Sequence, residues 1–131
     1  MLLDTIVLLW HITGAERLSR PAVRAIEREK CFYSYVSLLE LALKNRLKKV
    51  QLTLRQRPVS ARDFVLHVAD KLQLGAINLE FDDLADVEHL PQLPRPDHND
   101  PFDRLLVVQA LWLPPKAAWD VLRNVQDGLV H

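Results

Sequence analysis

Short apolar segments alternating with longer helical stretches predict an α/β fold: a three-layer domain in which helices cover both faces of a mainly parallel central sheet. Three observations carry that prediction. Met1-Leu2-Leu3 is an apolar run that ends at Asp4, Cys31 to Val36 is rich in aromatic and β-branched residues, and Ala76 to Leu79 is a short apolar stretch behind a clear helical pattern. With 131 residues, 49% of them hydrophobic, the chain has material for one packed core, and residues 1–131 are read as a single domain.

Taken in order, residues 1–3 read as a buried strand passing into a helix through Ile6 to Trp10, with Asp4 at the strand's end. Ser19-Arg20-Pro21 starts a surface helix over 21–30, because proline suits the first helical turn. Residues 31–36 form the second strand. Ser37 and Glu40 have capping-box spacing, so the next helix is expected to start at Ser37 and run toward Leu47. Residues 52–59 read as a connecting loop. Phe64, Val65, Val68, Ala69 and Leu72 then mark a helix over 60–74, with Gly75 as its stop. A third strand at 76–79, a helix over 82–90 and a proline-rich loop follow.

The 17 Lys plus Arg balance the 17 Asp plus Glu, so no global field draws nucleic acid and any such contact rests on local patches. Cys31 is the only cysteine, which excludes an intramolecular disulfide and fits a reduced, cytoplasmic setting. Asp4 follows the first three residues at once, with no basic leader and no long apolar run, which argues against a signal peptide or membrane span.

Each acid that attracts attention has a structural explanation and a chemical one. In parallel sheets ligand groups gather beyond the carboxyl ends of strands, and Asp4 sits at such an end. Glu40 is explained by the capping box and by its i,i+4 pairing with Lys44. Asp100-Pro101-Phe102-Asp103 reads as a cap, a proline at the first helical position and an acid favoured by the helix dipole. The basic run Lys44, Arg46, Lys48, Lys49 is either a solvated helix end or a contact for phosphates. Trp10, Trp112 and Trp119 read as core or interface residues, and His98 as loop.

Leu2-Leu3-Asp4-Thr5, Ser37-Leu38-Leu39-Glu40 with Lys44, and Asp100-Pro101-Phe102-Asp103-Arg104-Leu105-Leu106 ahead of Val107-Val108-Gln109-Ala110-Leu111 occur in the order and spacing of a known family. Over residues 1–111 the chain resembles the PIN-domain family, in particular its VapC-type toxin ribonucleases. The resemblance implies a Mg²⁺- or Mn²⁺-dependent endoribonuclease, the toxin component of a type II toxin-antitoxin system, with RNA as substrate, a small VapB-like antitoxin as partner and a homodimer as assembly. It implies that Asp4, Glu40 and Asp103 hold the metal, that Asp100 caps its helix with a direct or water-mediated metal role left open, and that Thr5, Ser37, Lys44 and Arg104 support the site. Oxygen ligands suit such hard cations, and Mg²⁺ takes few carboxylates while keeping several waters.

Residues 112–131 depart from the family. Where it has a last strand ending in a fourth acid, this chain has Trp112-Leu113-Pro114-Pro115, then Ala118, Trp119, Leu122, Val125 and Leu129 at helical spacing. The expectation is a fold that lacks the usual last strand and ends in a helix. Asp120 stands at about the right distance from Asp103 to be the fourth acid, in unmatched surroundings; Asp127 fits less well. The missing strand motivates an alternative, a catalytically impaired PIN domain that binds antitoxin or RNA without cleaving. A further alternative, a phosphatase-like enzyme with Asp4 as nucleophile, is disfavoured because Ile6 stands where such enzymes place a second aspartate.

Overall fold

The computed structural model describes residues 1–91 and 100–111, and the chain is mixed α/β. Its strands are short. The helices are α1 (Thr5–Thr13), α2 (Arg20–Arg28), α3 (Tyr35–Arg46), α4 (Ala61–Leu72), α5 (Phe81–Asp86) and α6 (Pro101–Leu111). The strands are β1 (Phe32–Ser34), β2 (Thr53–Leu54), β3 (Arg57–Pro58) and β4 (Gly75–Ile77).

The segment expected as the first strand makes a single parallel bridge, Leu2 to Phe32. The Phe32 N–H donates to the Met1 carbonyl and the Leu3 N–H to the Phe32 carbonyl, both at 2.8 Å. On its other side β1 pairs parallel with β4, in the register Phe32 with Gly75, Tyr33 with Ala76 and Ser34 with Ile77. The parallel strip expected from sequence is therefore present among the described residues, with β1 in the middle.

Alternation along these segments separates two cores. Met1, Leu3, Cys31 and Tyr33 join Leu8, Ile26, Phe64 and Val68 from α1, α2 and α4. Leu2, Phe32 and Ile77 face the other way and join Val36 of α3 with Leu105, Leu106 and Ala110 of α6. Such run-on hydrophobicity is what a strand buried on both faces requires. Each core contains side chains from helices as well as strands.

Helix starts follow side-chain caps. Asp4 caps α1, Ser19 caps α2 with Pro21 in its first turn, and Ser60 caps α4 by accepting from the Asp63 N–H at 3.1 Å. The expected helix over 21–30 is α2, shifted to Arg20–Arg28. The expected strand over 31–36 stops at Ser34, because α3 begins at Tyr35 rather than Ser37. Ser37 is thus no N-cap and the Ser37–Glu40 capping box does not exist: Ser34 is the cap, accepting from the Val36 N–H at 3.0 Å.

Three further expectations change. Residues expected as a loop over 52–59 contain the β2–β3 hairpin, whose two turn residues, Arg55 and Gln56, have φ of 52° and 65°. The mirror-image turn of a two-residue hairpin needs those angles. The helix over 60–74 ends not at Gly75 but at Gln73, which takes the left-handed conformation with φ 54°, while the Leu74 N–H reaches back to the Ala69 carbonyl at 2.8 Å. The helix expected over 82–90 divides into α5 and a 3₁₀ turn at Val87–His89. The final helix expected after Pro115, together with Trp112 and Trp119, lies outside the described residues, as does His98. Among the described residues no helix is long and apolar enough to cross a membrane.

Gly75 opens β4 because Phe32, its partner in the register, lies over it. A Cβ at position 75 would stand 2.6 Å from the Phe32 ring. We expect Gly75→Ala to lower the unfolding free energy by about 1–3 kcal/mol, the usual cost of overpacking, measured by urea denaturation. Most of the loss should vanish in a Phe32→Leu background; an equal loss there would show that the ring is not the cause.

Candidate metal centre

Three chain segments bring the acids together. Asp4 stands where the first extended segment turns into α1, and its Oδ1 accepts the Ile6 N–H at 3.2 Å. Glu40 lies on the second turn of α3 and is buried, 6% exposed. Asp103 is in the first turn of α6, half-buried. Asp100 caps that helix, its Oδ1 accepting from the Phe102 N–H at 2.8 Å and the Asp103 N–H at 3.1 Å, which is the capping role read from sequence.

Mutual charge and burial set the electrostatics. Burial pushes the Asp4 carboxyl up to about 6; the Ile6 N–H opposes this and the Glu40 charge adds to it. Asp103 is pushed up to about 7, first by burial and then by Asp4, Asp100 and Glu40, with Lys44 pulling the other way. These acids feel one another across three elements. Lys44 is the local counter-charge, its Nζ donating to Glu40 Oε2 at 2.7 Å. Burial lowers the Lys44 pKa, but the hydrogen bond and charge of Glu40 outweigh that and raise it, with help from Asp100 and Asp103.

Glu40 Oε1 has no hydrogen-bond partner, although it is buried. A buried carboxylate oxygen left unpaired costs roughly 1–3 kcal/mol or more, so it marks a position where a cation or water belongs. The donor set around it consists of carboxylates, which suits a hard divalent ion such as Mg²⁺ or Mn²⁺. Among the described residues no three Asp, Glu, His or Cys side chains are gathered at metal-ligand spacing. The carboxylates thus share one field without forming a closed cage.

The supporting residues divide. Thr5 Oγ1 donates to Ser37 Oγ at 2.9 Å, and both are buried, so this pair locks the start of α1 against α3 beside Asp4 and Glu40. Arg104, expected to meet an acid or a phosphate, gives N–H bonds to the carbonyls of Leu90 at 2.7 Å and of Val87 and Pro91 at 3.3 Å. Those carbonyls end the 3₁₀ turn after α5, which needs such donors. Asp120 and Asp127 lie outside the described residues.

Sequence reasoning missed the network behind these acids. Ser34 Oγ donates to Gln109 Oε1, and Gln109 Nε2 donates to the Asn78 carbonyl at 3.0 Å and to Asp83 Oδ2 at 3.2 Å. Asp83 Oδ2 also accepts the Glu80 N–H at 2.9 Å. A single amide inside the buried run Leu105 to Ala110 was the available signal, because a polar group there must find partners. No protein-family model matches the chain, and comparisons with curated proteins and with solved structures return no match.

The raised acids predict a pH dependence. With folded pKa values of about 6 for Asp4 and about 7 for Asp103, against 3.8 for an ordinary aspartate, the folded state holds more protons than the unfolded state between about pH 4 and 7. Stability of the metal-free protein should therefore fall as pH rises through that window. In EDTA, Asp103→Asn should unfold with the wild type at about pH 4 and above it in temperature at about pH 8. Each tenfold weakening of the acid on folding is worth at most about 1.4 kcal/mol, and solvent screening of the half-buried Asp103 keeps the gain below that ceiling. Identical unfolding curves for the two proteins at both pH values would remove the electrostatic account.

Proposed function

We propose that this chain is a Mg²⁺- or Mn²⁺-dependent endoribonuclease with a three-layer PIN-like fold, the toxin of a VapC-type toxin-antitoxin pair. The observation that carries the reading is the unpaired, buried Glu40 Oε1 in a field shared with Asp4 and Asp103. The motifs that resemble the family fall on these same three acids; of the two structural explanations for Glu40, the capping box is absent, and the Lys44 pair accounts for only one of its oxygens.

Asp4, Glu40 and Asp103 would hold the ion, with Asp100 kept in its capping role. A closed cage is not required, since Mg²⁺ keeps several waters and binds through few carboxylates. An ion held there would supply positive charge toward a phosphate and would acidify a water. Asp4 and Asp103 would have to give up their protons to hold it, so affinity is expected to rise with pH across the window of their raised pKa values. Lys44 keeps one Glu40 oxygen paired and leaves the other for the ion. Thr5 and Ser37 hold α1 and α3 in the spacing the ligands need.

The homodimer and the small antitoxin belong to the same proposal. Their support is an exposed apolar row on α3, Tyr35, Leu39, Leu43 and Leu47, four residues apart and adjoining Glu40.

Calorimetric titration with Mn²⁺, with cleavage of a mixed RNA pool scored on the same samples, tests this reading. We expect Glu40→Gln and Asp103→Asn each to weaken Mn²⁺ binding by about 100-fold or more, beyond the 10–100-fold of residues behind the ligands, and to abolish cleavage. A folded wild type that binds RNA but neither Mn²⁺ nor cleaves would establish the binding-only alternative instead.

A further inference from the structure

The charge balance of the chain hides a polar distribution. Residues 41–62 contain seven of the 17 Lys and Arg and none of the 17 Asp and Glu. Arg46, Lys48, Lys49, Arg55 and Arg57 are exposed, and among the described residues none has a carboxylate at ion-pair distance.

The fold gathers them at one end of α3. The Lys49 N–H returns to the Lys44 carbonyl at 2.9 Å, and Asn45 Nδ2 donates to the Val59 carbonyl at 3.3 Å, which fastens the helix end to the foot of the β2–β3 hairpin. Arg55 is at the hairpin tip and Arg57 opposite Leu54. From Glu40 to Arg46 the helix rises only about 9 Å, at ~1.5 Å per residue, so the cations run outward from Lys44 and the acidic cluster.

Two of these cations, and the glutamine between Arg55 and Arg57, are held against backbone preference. Lys48, Arg55 and Gln56 have φ of 58°, 52° and 65°, and they make up three of the four described non-glycine residues at positive φ. Glycine after the helix and Asn-Gly in the turn would be cheaper. Turn stability therefore does not account for the cations there, and residues kept in costly conformations point to a use.

We propose that the C-terminal end of α3 and the β2–β3 hairpin form a binding track for the phosphate backbone of single-stranded RNA, leading to the acids at Asp4, Glu40 and Asp103. The identity of the ligand rests on the ribonuclease reading; the cationic surface does not. Phosphate contacts of this kind supply affinity and orientation without sequence information. The remaining residues carry all 17 acids beside the other ten cations, so the stretch 41–62 is where cations stand without acids among them and a polyanion is favoured.

The test is fluorescence anisotropy of a short labelled oligouridylate in EDTA, where neither metal binding nor cleavage contributes, so failure here is distinct from failure of the metal site. The triple variant Lys48→Gly, Arg55→Asn, Gln56→Gly relieves all three positive-φ positions and should unfold at the same or a higher temperature. It should bind RNA roughly 10-fold more weakly at low salt, with a log–log salt dependence shallower by about 1.4, or 0.7 for each cation removed. Unchanged affinity and slope would overturn the track. Equal displacement of the RNA by polyglutamate at matched charge concentration would also overturn it, in favour of an acidic protein partner.

Discussion

The hydroxyl of Ser34 is the joint on which the arrangement around the acids depends. It accepts the Val36 N–H and so decides where α3 starts, and it donates to Gln109 and so holds α6 against that start. Both side chains are buried. In such low-dielectric surroundings a satisfied network is strong and a broken one is costly, which makes the relative placement of the elements nearly discrete. Through Gln109 the same network reaches Asn78 behind β4 and Asp83 on α5, so four elements are registered by one amide. Glu40 on α3 and Asp103 on α6 inherit their positions from it.

The acids themselves work against folding. Asp4, Glu40 and Asp103 repel each other in a partly desolvated space, and Lys44 meets only one of the Glu40 oxygens. Local backbone offsets part of that cost. Asp4 and Asp100 each receive N–H groups from the helix they open, and the positive end of a helix favours an anion there. The cluster is therefore tolerated in part because Asp4 and Asp100 double as helix caps and Lys44 pairs one oxygen of Glu40, whose other oxygen is left without a partner. A protein that keeps such a deficit stores free energy that a divalent cation would release.

The cations are distributed in the opposite manner. They are exposed and lie beyond Lys44 at the far end of α3 and on the hairpin, the first of them, Arg46, less than two helical turns from Glu40. One helix thus joins an electronegative interior to an electropositive surface. Its third character is the exposed apolar row of Tyr35, Leu39, Leu43 and Leu47.

Much of this was legible in the sequence. Apolar runs bounded by caps marked most helices and the parallel strip, since burial on both faces of a strand and the 3.6-residue period are written in residue order. Asp4 and Asp103 were legible as candidates, and Asp100 as a cap, because each sits at a recognisable element start, whereas Glu40 was legible only through the motif that resembles the family. What sequence could not settle was a choice between equals. Ser34 and Ser37 are both competent caps, and Phe32 to Val36 suits a strand throughout, so local preference favoured the later start. The tertiary structure decided otherwise, because Ser37 is claimed by Thr5 and Ser34 by Gln109, partners 32 and 75 residues away. Arg104 likewise finds partners that no local pattern encodes, carbonyls lying 13 to 17 residues back along the chain. Residue order determined which segments become helix or strand and which acids open them; long-range hydrogen bonds, which no local pattern encodes, decided where α3 begins and therefore that Glu40 lies buried with one oxygen unpaired.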